Sequence, residues 1–379
     1  MKNIIPFNEP YISGLELKNF RSLIKKKNFS ARGYYTEECE KILSQKYQSY
    51  ALLTKSCTNS LEVIAYLMEI KTGDEVIVPS YTFVSTANAF AIRGAKIVFA
   101  DSNTSNPCID VNSILKNINK KTKAVCVVHY AGISCDIKEI VKICKLRNIK
   151  LIEDCAHSYD AFGYKKRLGT FGDFATLSFH DTKNLMSGEG GALIIKKKTD
   201  YLKSKIIIEK GTNRSLHISG KIKKYTWISL GSSYELSEIN ASFLFAQLQY
   251  SKFIKKKRIE IFNFYKKNLK NLAKKKNLEL PIVPYYSKIN GHIFYIILNN
   301  KNILLKLKKF AKERGVMLNE HYECLHKSPF ILKYRKEISL PNSQIYADRL
   351  LRLPIYPDLS KSKMKFIIKV INMFFFKNK

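Results

Sequence analysis

A chain of 379 residues can bury a large core, and one large plus one small domain is the natural expectation. Hydrophobic residues at 45% and charged residues at 26% place it among ordinary soluble globular proteins. The net charge of +35 raises a nucleic-acid or membrane partner, but the excess is Lys rather than Arg, and it is scattered in short clusters with no aromatic-interleaved stripe. Lys, Asn, Ile, Tyr and Phe are abundant together, which points to a biased genome more than to a selected surface.

The eight cysteines show neither a C-x-x-C pair nor zinc spacing, so no metal site is expected. Most lie in apolar runs and read as buried residues of a reducing compartment. The N-terminus lacks the apolar run of a signal peptide, and the apolar tail Phe366–Phe376, broken by Lys369, is too short to span a bilayer. A cytoplasmic protein with no membrane insertion is expected.

Helical periodicity covers 14–28 and 36–48, and Ala51–Leu53 reads as a short strand. The polar cluster Ser56-Cys57-Thr58-Asn59-Ser60 then precedes an apolar-periodic helix, Leu61–Met68. Free N–H groups at such a helix start make a phosphate site, although a plain N-cap is the simpler reading of this stretch alone. From there strands and helices alternate. Strands are predicted at Glu75–Pro79, Lys96–Ala100, Lys123–His129 and Lys150–Glu153, with helices at Val84–Ile92, Val111–Ile118 and Ile137–Leu146 between them. Val- and Ile-rich strands separated by helices of about ten residues imply a parallel sheet covered on both faces. Ligands of such sheets bind outside the carboxyl ends of the strands. Asp154 stands one residue past an apolar strand, where a functional acid or a loop-capping acid fits equally.

The segment 174–196 looks antiparallel, with apolar runs Ala175–Phe179 and Ala192–Ile195. Between them lie Lys183 and the glycines Gly188, Gly190 and Gly191, which permit sharp turns and close approach of a ligand. Lys183 is either a solvated loop lysine or a lysine that forms a Schiff base with a carbonyl cofactor. A helix follows at 199–209. The polar segment Lys210–Tyr234 is long enough to be functional or interfacial. One long helix from about Ser237 to Leu272 is expected to bridge a large α/β domain, residues 1–250, to a small α+β domain, residues 251–379. The latter should hold strands at His292–Leu298 and Val316–Leu318 and helices at 302–314, 343–351 and 360–376.

A phosphate-type helix start near Thr58, the aromatic loop Tyr81-Thr82-Phe83, an acid at Asp154 and a lysine at Lys183 occur in that order. Pyridoxal 5′-phosphate (PLP) needs a phosphate cup, a stacking aromatic, an acid that keeps the pyridine nitrogen protonated, and a Schiff-base lysine. These motifs, with Glu153-Asp154-Cys155-Ala156-His157, Ser178–Asn184 and Gly188-Glu189-Gly190-Gly191, resemble those of the DegT/DnrJ/EryC1/StrS sugar aminotransferases, nearly end to end.

The resemblance implies the fold-type I PLP-dependent aminotransferase architecture: a mixed, mostly parallel sheet sandwiched by helices, plus the small C-terminal domain. It makes Lys183 the Schiff-base lysine and Asp154 the partner of the pyridine nitrogen. Thr58 and the Asn59 amide form the phosphate cup with Ser178, Phe83 stacks on the ring, and His157 bonds the phenolic oxygen. It implies a homodimer, with dimers able to pair into a tetramer, whose loop Gly231–Tyr234 reaches the other subunit's site and brings Ser233 to its cofactor. Arg214, Tyr225, Tyr234, His321 and His326 are the substrate-binding residues expected on this basis. Finer matches at Tyr81–Phe90, Val128–Gly132, Glu209–Ser215, Lys224–Trp227 and Gly231–Tyr234 imply transfer from L-glutamate to C4 of a dTDP-linked 4-keto-6-deoxyhexose, giving dTDP-4-amino-4,6-dideoxygalactose for a surface polysaccharide. Two family loops differ here, Ala31-Arg32-Gly33 and His321-Tyr322-Glu323-Cys324-Leu325-His326, and both border the sugar-nucleotide site in the family. The rival readings are an aminotransferase for another nucleotide-linked keto sugar, a sugar dehydratase (which would carry His in place of Lys183), and a basic nucleic-acid-binding protein on a retired aminotransferase fold.

Overall fold

The computed structural model describes residues 4–276 and 278–377. Its strands are β1 (Tyr50–Thr54), β2 (Glu75–Pro79), β3 (Lys96–Ala100), β4 (Thr122–Val128), β5 (Lys150–Asp154), the two-residue β6 (Phe162–Gly163) and β7 (Lys166–Arg167), β8 (Phe174–Ser178), β9 (Gly191–Ile195), β10 (Ser287–Lys288), β11 (Phe294–Ile297) and β12 (Leu350–Leu353). Seven of them form one sheet in the order β1-β9-β8-β5-β4-β2-β3. The pairs β8–β5, β5–β4, β4–β2 and β2–β3 are parallel, and β9 runs against both β8 and β1. This is the mixed, mostly parallel sheet of the fold-type I class.

The strands are apolar along nearly their whole length because helices cover both faces. β2 and β9 are buried at every residue. Helices at Cys57–Leu67, Ser85–Ala91, Val111–Asn117 and Ile137–Leu146 follow successive strands as the alternation requires. Their common direction brings the carboxyl ends of β2, β4, β5 and β8 to one edge, where Asp154 and Ser178 stand.

The bridging element differs from expectation. It is two helices, Glu238–Gln249 and Ser251–Lys276, broken at Tyr250. The first packs Ala241, Leu244 and Leu248 into a core shared with Leu53, Leu177 and Ile194. The second turns Ile261, Phe262, Tyr265 and Leu269 into a separate core with Phe294, Leu304, Leu351 and Ile371. One straight helix could not present both stripes to cores lying in different directions. Neither Pro nor Gly marks the break.

Around the second core, β11 pairs antiparallel with β12. The predicted Val316–Leu318 strand is reduced to neighbouring single bridges, Ile5 to Val316 and Asn319 to Arg352. The helix expected over 343–351 ends at Arg349, and the following residues become β12. Ile5 joins this C-terminal core, so the N-terminal residues pack with the far end of the chain.

Candidate active site

A cavity of about 570 Å³ opens at the carboxyl edge of the sheet. Thr58, Phe83, Asp154, His157, Ser178, Lys183 and His321 all line it. They come from five separate stretches; the ends of the parallel strands bring all but His321 together, and His321 comes from the C-terminal part of the chain.

The phosphate end is the start of the helix Cys57–Leu67. Ser56 caps it, its Oγ accepting from the Asn59 N–H at 3.1 Å. The Asn59 amide is therefore already engaged, and its side-chain amide donates to Glu62 at 3.1 Å. Thr58 Oγ1 stands 2.7 Å from Ser85 Oγ on the cavity wall. Gly191 lies opposite both Thr54 and Ser178 in the sheet. A Cβ there would fall 2.4 Å from the Ser56 carbonyl carbon and 2.5 Å from the Cys57 nitrogen. The glycine thus lets the helix start rest directly on the strand ends.

Asp154 is buried, accepting from Thr86 Oγ1 at 2.8 Å and from the Ala156 N–H at 3.0 Å. Burial raises its pKa, opposed by those two hydrogen bonds and by the charge of Lys183. Strand alternation turns the preceding Glu153 to the opposite face. Glu153 accepts from the N–H groups of Gly169, Phe171 and Gly172 (2.7–2.8 Å) and lies 3.0 Å from His129 Nε2. His129 Nδ1 accepts from the Cys135 N–H, so Nε2 carries the proton donated to Glu153. His129, Glu153 and Cys155 are close enough to hold a metal, but both imidazole nitrogens are already occupied.

Lys183 follows β8, anchored by its N–H to the His180 carbonyl at 2.9 Å. Its pKa is lowered by burial, against the opposing pull of Cys57 and Asp154. No ion pair or hydrogen bond among the described residues holds its Nζ, which leaves the amine free to react.

The wall facing Asp154 is aromatic. His157 Nδ1 lies 3.4 Å from the Ala131 N–H and its Nε2 is 3.0 Å from the Tyr322 hydroxyl. With Nδ1 accepting, Nε2–H donates to Tyr322, whose own O–H is left to donate into the cavity. His321 Nδ1 meets the Tyr130 hydroxyl at 2.6 Å, and His292 Nδ1 meets Asn184 Oδ1 at 2.9 Å. Burial and the nearby charge of Lys183 hold His157, His292 and His321 well below the usual histidine pKa, so all three are neutral. Phe83 stands exposed on the rim, 6.2 Å from Tyr322 between ring centres.

The other expected residues lie elsewhere in the chain. Ser233, Arg214 and Tyr225 line a second depression that shares Glu189 with the cavity. There Lys55 Nζ meets Ser233 Oγ at 3.2 Å, and Arg214 pairs with Glu235 at 3.4 Å. Tyr234 is buried beside Leu52 and Leu61. His326 is buried with Nδ1 2.6 Å from Ser80 Oγ. Sequence reasoning missed Thr86, His292, Tyr322, Arg258 and Arg352 in the cavity wall. Thr86 and Tyr322 lie inside stretches already singled out, Tyr81–Phe90 and His321–His326.

These residues fit PLP. A buried carboxylate, an unpaired amine, and hydroxyls at a helix start surround one space of suitable size. The chain belongs to the DegT/DnrJ/EryC1/StrS aminotransferase family, whose model matches residues 10–372. It is 30% identical over 378 residues to GDP-perosamine synthase of Escherichia coli O157:H7, covering 98% of each chain. Its fold matches the aminotransferase TlmJ from Streptoalloteichus hindustanus with a TM-score of 0.92 at 24% identity, covering 99% of this chain and 100% of that one. It also matches Spr1654 from Streptococcus pneumoniae in its PLP form, with a TM-score of 0.90 at 21% identity over 98% of each chain.

Proposed function

We propose that this chain is a PLP-dependent transaminase that moves the amino group of L-glutamate to C4 of a nucleotide-linked 4-keto-6-deoxyhexose. The observation that supports it is the meeting of an unpaired Lys183, a buried Asp154 and the Thr58–Ser178 hydroxyls in one cavity. PLP, when bound, supplies the carbonyl that takes up the amino group and the ring that delocalises the electrons left by the departing proton. Lys183 removes the donor's α-proton and later returns a proton to the sugar's C4. Asp154 holds its negative charge against the ring nitrogen, a role that its hydrogen bonds to Thr86 and Ala156 support. Neutral His157 fixes the Tyr322 hydroxyl as a donor into the cavity.

For the sugar, the finer sequence matches favour a dTDP-linked substrate and dTDP-4-amino-4,6-dideoxygalactose as product. A GDP-linked sugar is the second reading, favoured by the E. coli relative named GDP-perosamine synthase. The segment 210–234 supports a homodimer: Trp227, 72% exposed in the single chain, stands beside exposed Ile228 and Leu230. In that arrangement Ser233, Arg214 and Tyr225 would serve the neighbouring subunit's cavity. All eight cysteines are free, seven of them buried, in keeping with a cytoplasmic enzyme. The test is the visible absorption of the protein mixed with PLP, before and after L-glutamate, followed by addition of the dTDP- and GDP-linked 4-keto sugars. A band that glutamate bleaches and one keto sugar restores supports the proposal. A protein that never takes on the band refutes it.

A further inference from the structure

The cavity wall holds two cations that this chemistry leaves unused. Arg258, from the helix Ser251–Lys276, is only 2% exposed. Its Nε donates to the Gly291 carbonyl at 3.1 Å and its Nη2 to the His292 carbonyl at 2.9 Å. Among the described residues no carboxylate pairs with it, and burial alone pushes its guanidinium down to about 9. Arg352, in β12, is partly buried and also lacks a carboxylate partner among the described residues. It donates Nε and Nη2 to the Glu320 carbonyl (3.2 and 2.8 Å) and lies over the Phe7 ring. A guanidinium has five N–H donors, so each keeps donors in reserve.

An unpaired buried cation is costly. The carboxylates that line this cavity do not relieve it. Asp154 is held by Thr86 and Ala156, and exposed Glu189 stands beside His180. Both arginines border the histidine cluster of the cavity wall. Arg258 binds the carbonyl of His292, whose ring lies 4.7 Å from that of His157. The charge of Arg352 bears on His157 and His321. Two cations without carboxylate partners, lining the same cavity as Lys183, suit a small ligand with two negative ends.

We propose that Arg352 and Arg258 form the carboxylate-binding subsite for the amino donor, and that together they select a dicarboxylate over a monocarboxylate. The donor's identity as L-glutamate rests on the transaminase reading above. A planar guanidinium matches a carboxylate through paired N–H donors. Arg258 is too enclosed to meet the diphosphate of a bulky nucleotide.

The test is calorimetry on the PLP-loaded protein with glutarate, which has two carboxylates and no amine, and with butyrate, which has one. The unaltered protein should prefer glutarate. Arg352→Gln should weaken glutarate binding by about 10- to 100-fold, the size of one lost charge-assisted hydrogen bond, and collapse the preference over butyrate. The L-glutamate needed for half-bleaching of the visible band should rise by a similar factor, while the keto sugar's KM changes far less. Arg258→Lys, which keeps the charge but loses the fork, should fall between the two. Unchanged glutarate affinity in Arg352→Gln overturns the proposal. So does a rise in the keto sugar's KM with the glutamate response intact, which would assign the guanidinium to the diphosphate. If glutamate fails to bleach the unaltered protein while arginine-dependent glutarate binding persists, the transaminase reading falls and the subsite stands.

Discussion

Asp154→Asn isolates the electrostatic part of the proposed chemistry, because the substitution keeps the shape of the side chain and removes its charge. In the protein the carboxylate accepts from Thr86 Oγ1 and from the Ala156 N–H. An asparagine can keep its oxygen toward Ala156, and the Thr86 hydroxyl can rotate to accept from the new amide. The cost to folding is thus about 1 kcal/mol, that of one weakened buried hydrogen bond. The cost to catalysis should be larger. A preorganised charge facing the reacting system contributes about 3–4 kcal/mol, or 10²–10³ in rate. The assay is single-turnover bleaching of the visible band by L-glutamate, with urea unfolding as the control for stability. Losing the Asp154 charge also removes an attraction that favours the protonated Lys183 amine, so the Lys183 pKa should fall further. A variant that turns over within threefold of the unaltered protein would refute the assignment of Asp154 to the ring nitrogen.

Four other outcomes follow from the same geometry. Lys183→Ala should abolish transamination with an unchanged circular dichroism spectrum, and substantial residual turnover would remove Lys183 from the chemistry. Burial lowers the Lys183 pKa, and the neutral amine is the reactive form. The rate at which the protein takes up PLP should therefore rise with pH through a midpoint below the ordinary lysine value near 10.5, and a midpoint at or above that value would contradict the buried environment. Glu153→Gln should cost about 2–4 kcal/mol in urea unfolding, since three backbone N–H groups and His129 lose a charged acceptor. The pKa of Glu153 is depressed in the folded state. Its stabilisation is thus present above the ordinary glutamate value near 4.5 and lost as pH falls through the lower folded one, a loss of stability that the Gln variant should not show. Gly191→Ala should weaken PLP binding by tenfold or more, because the new methyl strikes backbone at Ser56 and Cys57; equilibrium dialysis with PLP measures it.

The sheet was legible because its strands are short, Val- and Ile-rich and evenly spaced, and burial on both faces leaves little else such runs can do. Glu75–Pro79 and Lys96–Ala100 appear at their predicted bounds. The break at Tyr250 was not legible, since its cause is the direction of two cores and not a local residue. The first two residues of β12, Leu350 and Leu351, fall at the end of the helix expected over 343–351, and the pairing with β11 makes them strand. In the site, position alone leaves Asp154 and Lys183 with two readings each, and it is their order with Thr58 and Phe83, with the family resemblance, that separates them. Glu153 stood beside Asp154 in the same motif, yet its role depends on amides from Gly169, Phe171 and Gly172 that no local pattern reveals.

Four of the five residues that escape the sequence reading share a cause. Arg258, His292, Tyr322 and Arg352 all come from the part of the chain after Tyr250, while Lys183, Asp154 and Thr58 come from the sheet before it. The first group owes its place to the docking of one core against the other, which is a property of the whole chain. The second owes its place to the rule that parallel strands end together. In a chain with 66 Lys and Arg residues, a basic residue on a helix or strand carries no signal by itself. Arg258 becomes distinctive only once the fold shows it buried without an anion. The part of the cavity built at the strand ends can thus be read from motifs, and Arg258, His292 and Arg352 in the remaining wall only from packing.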